Sequence, residues 1–139
     1  MIEPKRAKPT KAEGRKAREI VRGRSSGVCE GCNAAPTTEM HHRLYKSRGG
    51  HDTVSNFLHL CGGESGLPGG NHSGCHGIAH TAAGEGRGWS VRSGYDPAVV
   101  PVLFPDGSWW RLLEDGTKEL VRAADAFQYM GLIQVRGQK

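Results

Sequence analysis

Cys29-Glu30-Gly31-Cys32, then Glu39-Met40-His41-His42-Arg43, then Asn56-Phe57-Leu58-His59-Leu60-Cys61, and finally Cys75-His76-Gly77-Ile78-Ala79-His80: these four runs decide the fold. The interval from Cys29 to His80 holds all four cysteines and all seven histidines of a 139-residue chain. An apolar core does not need such a cluster, whereas thiolates and imidazoles are the ligands of zinc and its neighbours. Two cysteines two residues apart turn both sulfurs toward one tetrahedral ion, so Cys29-x2-Cys32 reads as half of a closed site. A redox pair is the alternative reading. No βαβ pattern surrounds the motif, however, and Cys61 and Cys75 stand downstream. His76 and His80 fall at i and i+4 of a short helical pattern that opens at Cys75, so they share one face and can grip one ion. Gly77 leaves that helix weak on its own, so metal binding would support the fold.

Working outward, residues 37–42 have the β-branched, alternating character of a short strand. Neighbours in a strand point to opposite faces, so His41 and His42 cannot both reach one ion unless the strand ends there. The pattern predicts a division of labour, with one histidine on a metal and the other free for acid–base work. Two surface histidines would be the bland reading. Residues 44–53 form a loop whose Lys46 and Arg48 are available to phosphate oxygens, and 54–60 read as a second strand. In that strand Phe57, Leu58 and Leu60 pack, His59 faces away, and Asn56 ties down loop backbone at the start. Residues 62–74 are a glycine-rich, flexible excursion that carries His72, read as a solvated histidine or a spare ligand.

The flanks differ in composition. Residues 1–24 carry nine of the nineteen lysines and arginines, and form a basic arm that is extended at first and partly helical from Thr10. Thr10 with Glu13 matches a capping box, Ala12, Ala17, Ile20 and Val21 give a thin apolar face, and Gly23 is the expected stop. Arg15, Lys16, Arg18 and Arg22 would lie along phosphates, consistent with a net charge of +5. Residues 93–139 read as a β-meander and a short helix packed on the 25–92 core. Strands are expected over 99–104, 108–113 and 117–121, Asp106-Gly107 and Asp115-Gly116 turn the chain, and a helix over 123–132 uses Phe127 and Met130 as its stripe. Trp109-Trp110 places one indole on each sheet face, and both are expected to pack. The fold class is therefore α+β. Hydrophobic residues make up 36% of the chain, a thin core that a structural metal would reinforce. No run approaches the ~18 apolar residues of a membrane span, and no secretory h-region is evident, so a cytosolic setting is the default expectation.

The ordered set Cys29-x2-Cys32, Glu39-x-His41-His42, Gly49-Gly50, Asn56-x3-Leu60-Cys61 and Cys75-His76-x3-His80 resembles the HNH endonucleases of the ββα-metal (His-Me finger) group. The resemblance spans about residues 28–81 and is similar to the free-standing phage type. It implies a ββα-metal core stapled by structural zinc on Cys29, Cys32, Cys61 and Cys75. It implies a catalytic divalent ion (Mg2+, Mn2+, Ni2+, Co2+ or Zn2+) on His41, His76 and His80, with His42 as general base and Asn56 bracing the loop. DNA is the implied partner, cut with little sequence specificity, and a phage terminase is a further implied partner. Beside this core, Arg43, Lys46 or Arg48 would steady the phosphate, and Glu39 would orient His42 or a ligand. The family's second cysteine pair is usually close, whereas thirteen residues separate Cys61 from Cys75 here. A four-sulfur site therefore requires 62–74 to loop out, with His72 or His59 as substitutes for a sulfur. A zinc-stapled DNA-binding module without catalysis is the competing reading.

Overall fold

An antiparallel hairpin of two four-residue strands, β1 (Glu39–His42) and β2 (Phe57–Leu60), lies between helices on its two faces. The computed structural model describes residues 8–37, 39–62 and 73–131. Thr38, which the expected first strand included, lies outside them, as do His72 and the last residue of the expected terminal helix. The register pairs His41 with Leu58 and His42 with Phe57. Side chains alternate along each strand, so the two adjacent histidines separate to opposite faces. Leu58 and Leu60 pack with Cys29, Cys75, Ala79 and Trp89 on one side. Phe57 packs with Ala17, Val21 and Val54 on the other. Each fully buried Leu, Val or Phe contributes roughly 1.5–3 kcal/mol, so both faces of this small hairpin are needed.

Helix α1 (Lys11–Ser25) covers the Phe57 face. The capping box is present in both directions, with Thr10 Oγ1 accepting from Glu13 N–H and Glu13 accepting from Thr10 N–H. The helix runs past Gly23, which faces open space, and stops at Ser26, whose φ of 54° is left-handed. The Ser26 N–H closes the last turn on the Arg22 carbonyl. The reading of 1–24 as a separate arm is corrected from Lys11 onward. Arg24 makes a bidentate pair with Glu30 at 2.7 and 2.9 Å, both side chains 3% exposed, and donates to the Phe57 carbonyl. Such a desolvated, fully hydrogen-bonded pair fixes the helix against β2. Of the apolar face, Ala12 is exposed.

After β2 come α2 (Gly74–Ala79) and α3 (Ala82–Gly86), the latter absent from the sequence reading. Gly84 permits their crossing, since a Cβ there would meet the Ile78 carbonyl oxygen at 2.3 Å. The meander follows as expected, with β3 (Val102–Leu103), β4 (Trp109–Leu112) and β5 (Lys118–Val121) in a three-stranded sheet of that order. Helix α4 (Ala123–Tyr129) closes the described chain. Its buried stripe is Ala126 and Met130, not Phe127, whose ring meets Trp109 only edge-on at 5.4 Å. Trp109 joins a core with Leu44, Val91 and Val100, whereas Trp110 is half-buried beneath Lys118.

Arg43 joins hairpin and meander. It is fully buried and donates to the carbonyls of Gly88, Ser55, Pro97 and Val100 at 2.7–2.9 Å. The expectation that Arg43 contacts phosphate is therefore corrected: four backbone oxygens hold its guanidinium away from solvent. Glu114 adds a second tie, accepting from the Val54 and Ser55 N–H groups at 3.0 Å. Among the described residues no helix is long and apolar enough to cross a membrane.

Candidate metal centres

The four cysteines meet. Cys29, Cys32, Cys61 and Cys75 place their sulfurs within 4.8 Å of one another. Cys61 and Cys75 flank the undescribed 63–72, yet their ends are sewn together. His76 N–H donates to the Cys61 carbonyl at 2.9 Å, and Gly62 and Gly74, at φ 82° and 59°, lie against each other's backbone. A Cβ at Gly62 would meet the Ser73 carbonyl oxygen at 2.2 Å, so this closure requires glycine. His59 does not substitute for a sulfur. It points to the α1 face of β2, 2.9 Å from Ser25 Oγ at the end of that helix.

Backbone N–H groups aim at these sulfurs: Gly31 and Cys61 at Cys29 Sγ, both at 3.3 Å, and Cys75 at Cys61 Sγ at 3.5 Å. The Cys75 thiol hydrogen-bonds to Cys29 and, against the opposing effect of burial and with these backbone donors, lowers Cys29 to about 4. The same bond and burial push Cys75 up, and burial chiefly pushes Cys61 up. Thiolates this close cannot all ionise unless a cation joins them, and binding one drives off the remaining protons. Cys29 and Cys75 are buried, so the cluster suits a closed, tetrahedral structural ion such as zinc.

The second cluster begins one residue further along α2. His41, His76 and His80 bring one ring nitrogen each within 4.8 Å of the others. His41 is 2% exposed, and its Nε2 lies 2.7 Å from the Trp89 carbonyl oxygen. A carbonyl only accepts, so Nε2 carries the proton and the Nδ1 lone pair is left for a ligand. Burial, joined by the neighbouring His76 and His80, lowers His41 to about 3 despite the Trp89 carbonyl, and it stays neutral as a metal ligand must. Burial also lowers His76, whose Nδ1 is buried without a hydrogen-bond partner, while its Nε2 stands 3.3 Å from His80 Nε2. Converging imidazoles, with burial favouring the neutral form of His41 and His76 and one buried nitrogen orphaned, fit a bound divalent ion. Tyr45 stacks on His80 at 5.1 Å, with Arg48 over the Tyr45 ring at 4.5 Å.

His42 lies apart from this trio, on the α1 face, yet the strand ends at His42. A cavity of about 530 Å³ is therefore lined by both His41 and His42, with Tyr45, Lys46, His76 and His80. His42 Nε2 is 2.7 Å from Asp52 Oδ1. The carboxylate partner of His42 is thus Asp52, which takes the first of the two roles expected of Glu39, orienting His42 or orienting a ligand. Asp52 has a signal in the sequence, being the one carboxylate in residues 43–63. Asn56 is fully buried and braces the β1–β2 loop as expected: its Oδ1 accepts from Leu44 N–H at 2.7 Å, and its Nδ2 donates to the Leu44 and His51 carbonyls at 3.0 Å.

The basic residues divide. Arg15, Lys16 and Arg22 are exposed on α1, and Lys46 is 66% exposed at the cavity. Arg18 is instead turned inward to Asp52 at 3.0 Å, and Arg48 donates to the Val91 carbonyl at 3.1 Å. Comparison with protein-family models, with curated proteins and with solved structures returned no match.

Proposed function

We propose that this chain is a metal-dependent endonuclease of the HNH type that hydrolyses DNA phosphodiester bonds. The observation that carries this reading is the pairing, in one cavity, of a three-histidine cluster with a fourth histidine kept off it by strand alternation. His41, His76 and His80 would hold the ion, which when bound supplies Lewis-acid stabilisation of charge on the phosphate and leaving oxygens. With Nε2–H donated to Asp52, His42 offers Nδ1 as a base. It accepts a proton from water as the water oxygen bonds to phosphorus and the bond to the 3′ oxygen breaks. Lys46, exposed at the cavity, would steady a phosphate oxygen, and the exposed cations of α1 would hold flanking backbone without reading sequence.

Metal analysis joined to a plasmid-nicking assay tests this. Wild type with a divalent ion is expected to nick supercoiled plasmid, EDTA to stop it, and His42→Ala to lose on the order of 10²–10⁴-fold in rate with metal and DNA binding retained. Metal-replete protein that binds plasmid without nicking it would replace this reading with the non-catalytic, zinc-stapled binding module.

A further inference from the structure

The carboxylate of Asp52 has two oxygens, each with one hydrogen-bond partner, and the Lys46 ammonium lies 3.9 Å from Oδ1. Oδ1 is 2.7 Å from His42 Nε2, and Oδ2 accepts from Arg18 Nη2 at 3.0 Å. Arg18 belongs to α1, far in sequence from both. Its guanidinium also lies over the Phe57 ring at 5.1 Å, and that ring packs on His42 at 4.8 Å. One arginine therefore touches both groups that hold the imidazole.

We propose that Asp52 and Arg18 are positioning residues that fix the tautomer and orientation of His42, which makes helix α1 a component of the active site. The inference rests on the hydrolase reading of His42 given above. A carboxylate at Nε2 requires the proton there and leaves the lone pair on Nδ1. Arg18 in turn keeps the carboxylate from rotating to solvent, since Asp52 is only about a quarter exposed and both of its oxygens are engaged. Burial works against its charge, but the His42 hydrogen bond, Arg18 and Lys46 outweigh it and hold Asp52 below the ordinary carboxylate range.

The surroundings are built to keep this alignment. Gly14, buried on α1, lets the helix approach so closely that a Cβ there would stand 3.2 Å from Asp52 Cβ and Oδ2. Asn56 Nδ2 holds the carbonyl of His51, the residue before Asp52. The buried Arg24–Glu30 pair anchors the C-terminal end of the same helix on β2. Surface ion pairs are common and worth little. This one differs because a glycine gap, a buried asparagine and a second ion pair hold its two ends in place.

The test compares full-length wild type, Asp52→Ala, Asp52→Glu, Arg18→Ala and His42→Ala, each metal-loaded, on plasmid and on a short duplex. Asp52→Ala is expected to lower kcat on the order of 10²-fold and Arg18→Ala on the order of 10-fold, with KM, zinc content and melting temperature near wild type. Asp52→Glu should recover part of the loss. An ¹⁵N spectrum of the imidazoles supplies a readout apart from turnover: neutral His42 is expected as the Nε2–H form in wild type and as a mixture in Asp52→Ala. Active wild type with unchanged kcat in Asp52→Ala, or with the same tautomer in both proteins, overturns the positioning roles and leaves the nuclease intact. Inert, metal-loaded wild type fails at the earlier step and removes both readings.

Discussion

The two candidate metal centres are neighbours on one short helix, yet they are opposite in character. Cys75 and His76 are consecutive in α2, and the turn of about 100° between neighbouring helical residues sends one to the sulfur cluster and the other to the histidine cluster. The sulfur centre is closed. Gly31 packs so tightly there that a Cβ would meet the Trp89 ring at 2.9 Å and Cys75 Sγ at 3.1 Å, and backbone N–H groups occupy the approaches to the sulfurs. The histidine centre is closed behind, where Trp89 holds His41, and open in front, where exposed His80 borders a cavity of about 530 Å³. Ligand type alone does not separate a structural from a reactive ion. What separates them is whether a coordination position faces protein or water. Trp89 serves both, its ring walling the sulfurs and its carbonyl oxygen setting the tautomer of His41.

The sharpest way to break this contrast is to remove one ligand from each side. Cys29→Ser is expected to release zinc and unfold the domain, since a structural zinc site contributes on the order of 10 kcal/mol of folding free energy. His80→Ala is expected to retain that zinc and to melt close to wild type, while losing plasmid nicking. Paired thermal melts and metal analysis decide it. If Cys29→Ser melts like wild type with zinc retained, or if His80→Ala unfolds, the division of labour between the centres is wrong.

Much of this layout was legible in the residues, and the omissions share a cause. The capping box at Thr10, the Asp-Gly turns of the meander and the i, i+4 histidines are local signals, and local signals survive in sequence. Alternation alone was enough to assign His41 and His42 to different faces. Arg43, Arg18 and Asp52 were misread or missed because their partners lie between 12 and 57, 34, and 10 or 34 residues away. A lone cation beside a histidine motif looks the same whether it meets phosphate or, like Arg43, four buried carbonyls. Likewise a glycine inside a helix, such as Gly14, costs stability by propensity alone, and its use appears only with Asp52 packed against it. The long gap between Cys61 and Cys75 was the weak point of the four-sulfur reading, and it is bridged by two positive-φ glycines whose spacing carries no motif.

Titration sharpens the comparison next, because the back wall of the histidine centre is neutral. Burial, ahead of the neighbouring His76 and His80, holds His41 at about 3, below the ordinary imidazole value of about 6.5 in the unfolded chain. Between those values the unfolded state binds the extra proton, so stability is fully present above about pH 6.5 and is lost as pH falls toward 3. The slope for one such group approaches about 1.4 kcal/mol per pH unit. Denaturant unfolding at a series of pH values, for wild type and His41→Asn, isolates it from the sulfur centre, which both proteins share. A steeper acid loss in wild type is expected. Identical slopes would mean that His41 is not buried as a neutral ligand.

The smallest expected effect is also the most selective, because Gly14→Ala reaches the histidine centre only through Asp52 and its partner Arg18. Two consequences of one methyl group oppose each other there. In a helix interior alanine is favoured over glycine by about 1 kcal/mol. The new Cβ, however, would stand 3.2 Å from Asp52 Cβ and Oδ2, tighter than ordinary contact, so Asp52 must give way by a few tenths of an ångström. Stability is therefore expected to stay within about 1 kcal/mol of wild type. Turnover should fall several-fold, because a displaced carboxylate no longer holds Nε2 of His42 at 2.7 Å. Zinc content should not change, since no sulfur ligand touches Gly14. Calorimetry, metal analysis and kcat on the same preparation give all three quantities. A stabilised variant with wild-type kcat would show that the alignment of Asp52 tolerates such a shift, and the requirement on α1 would reduce to covering Phe57.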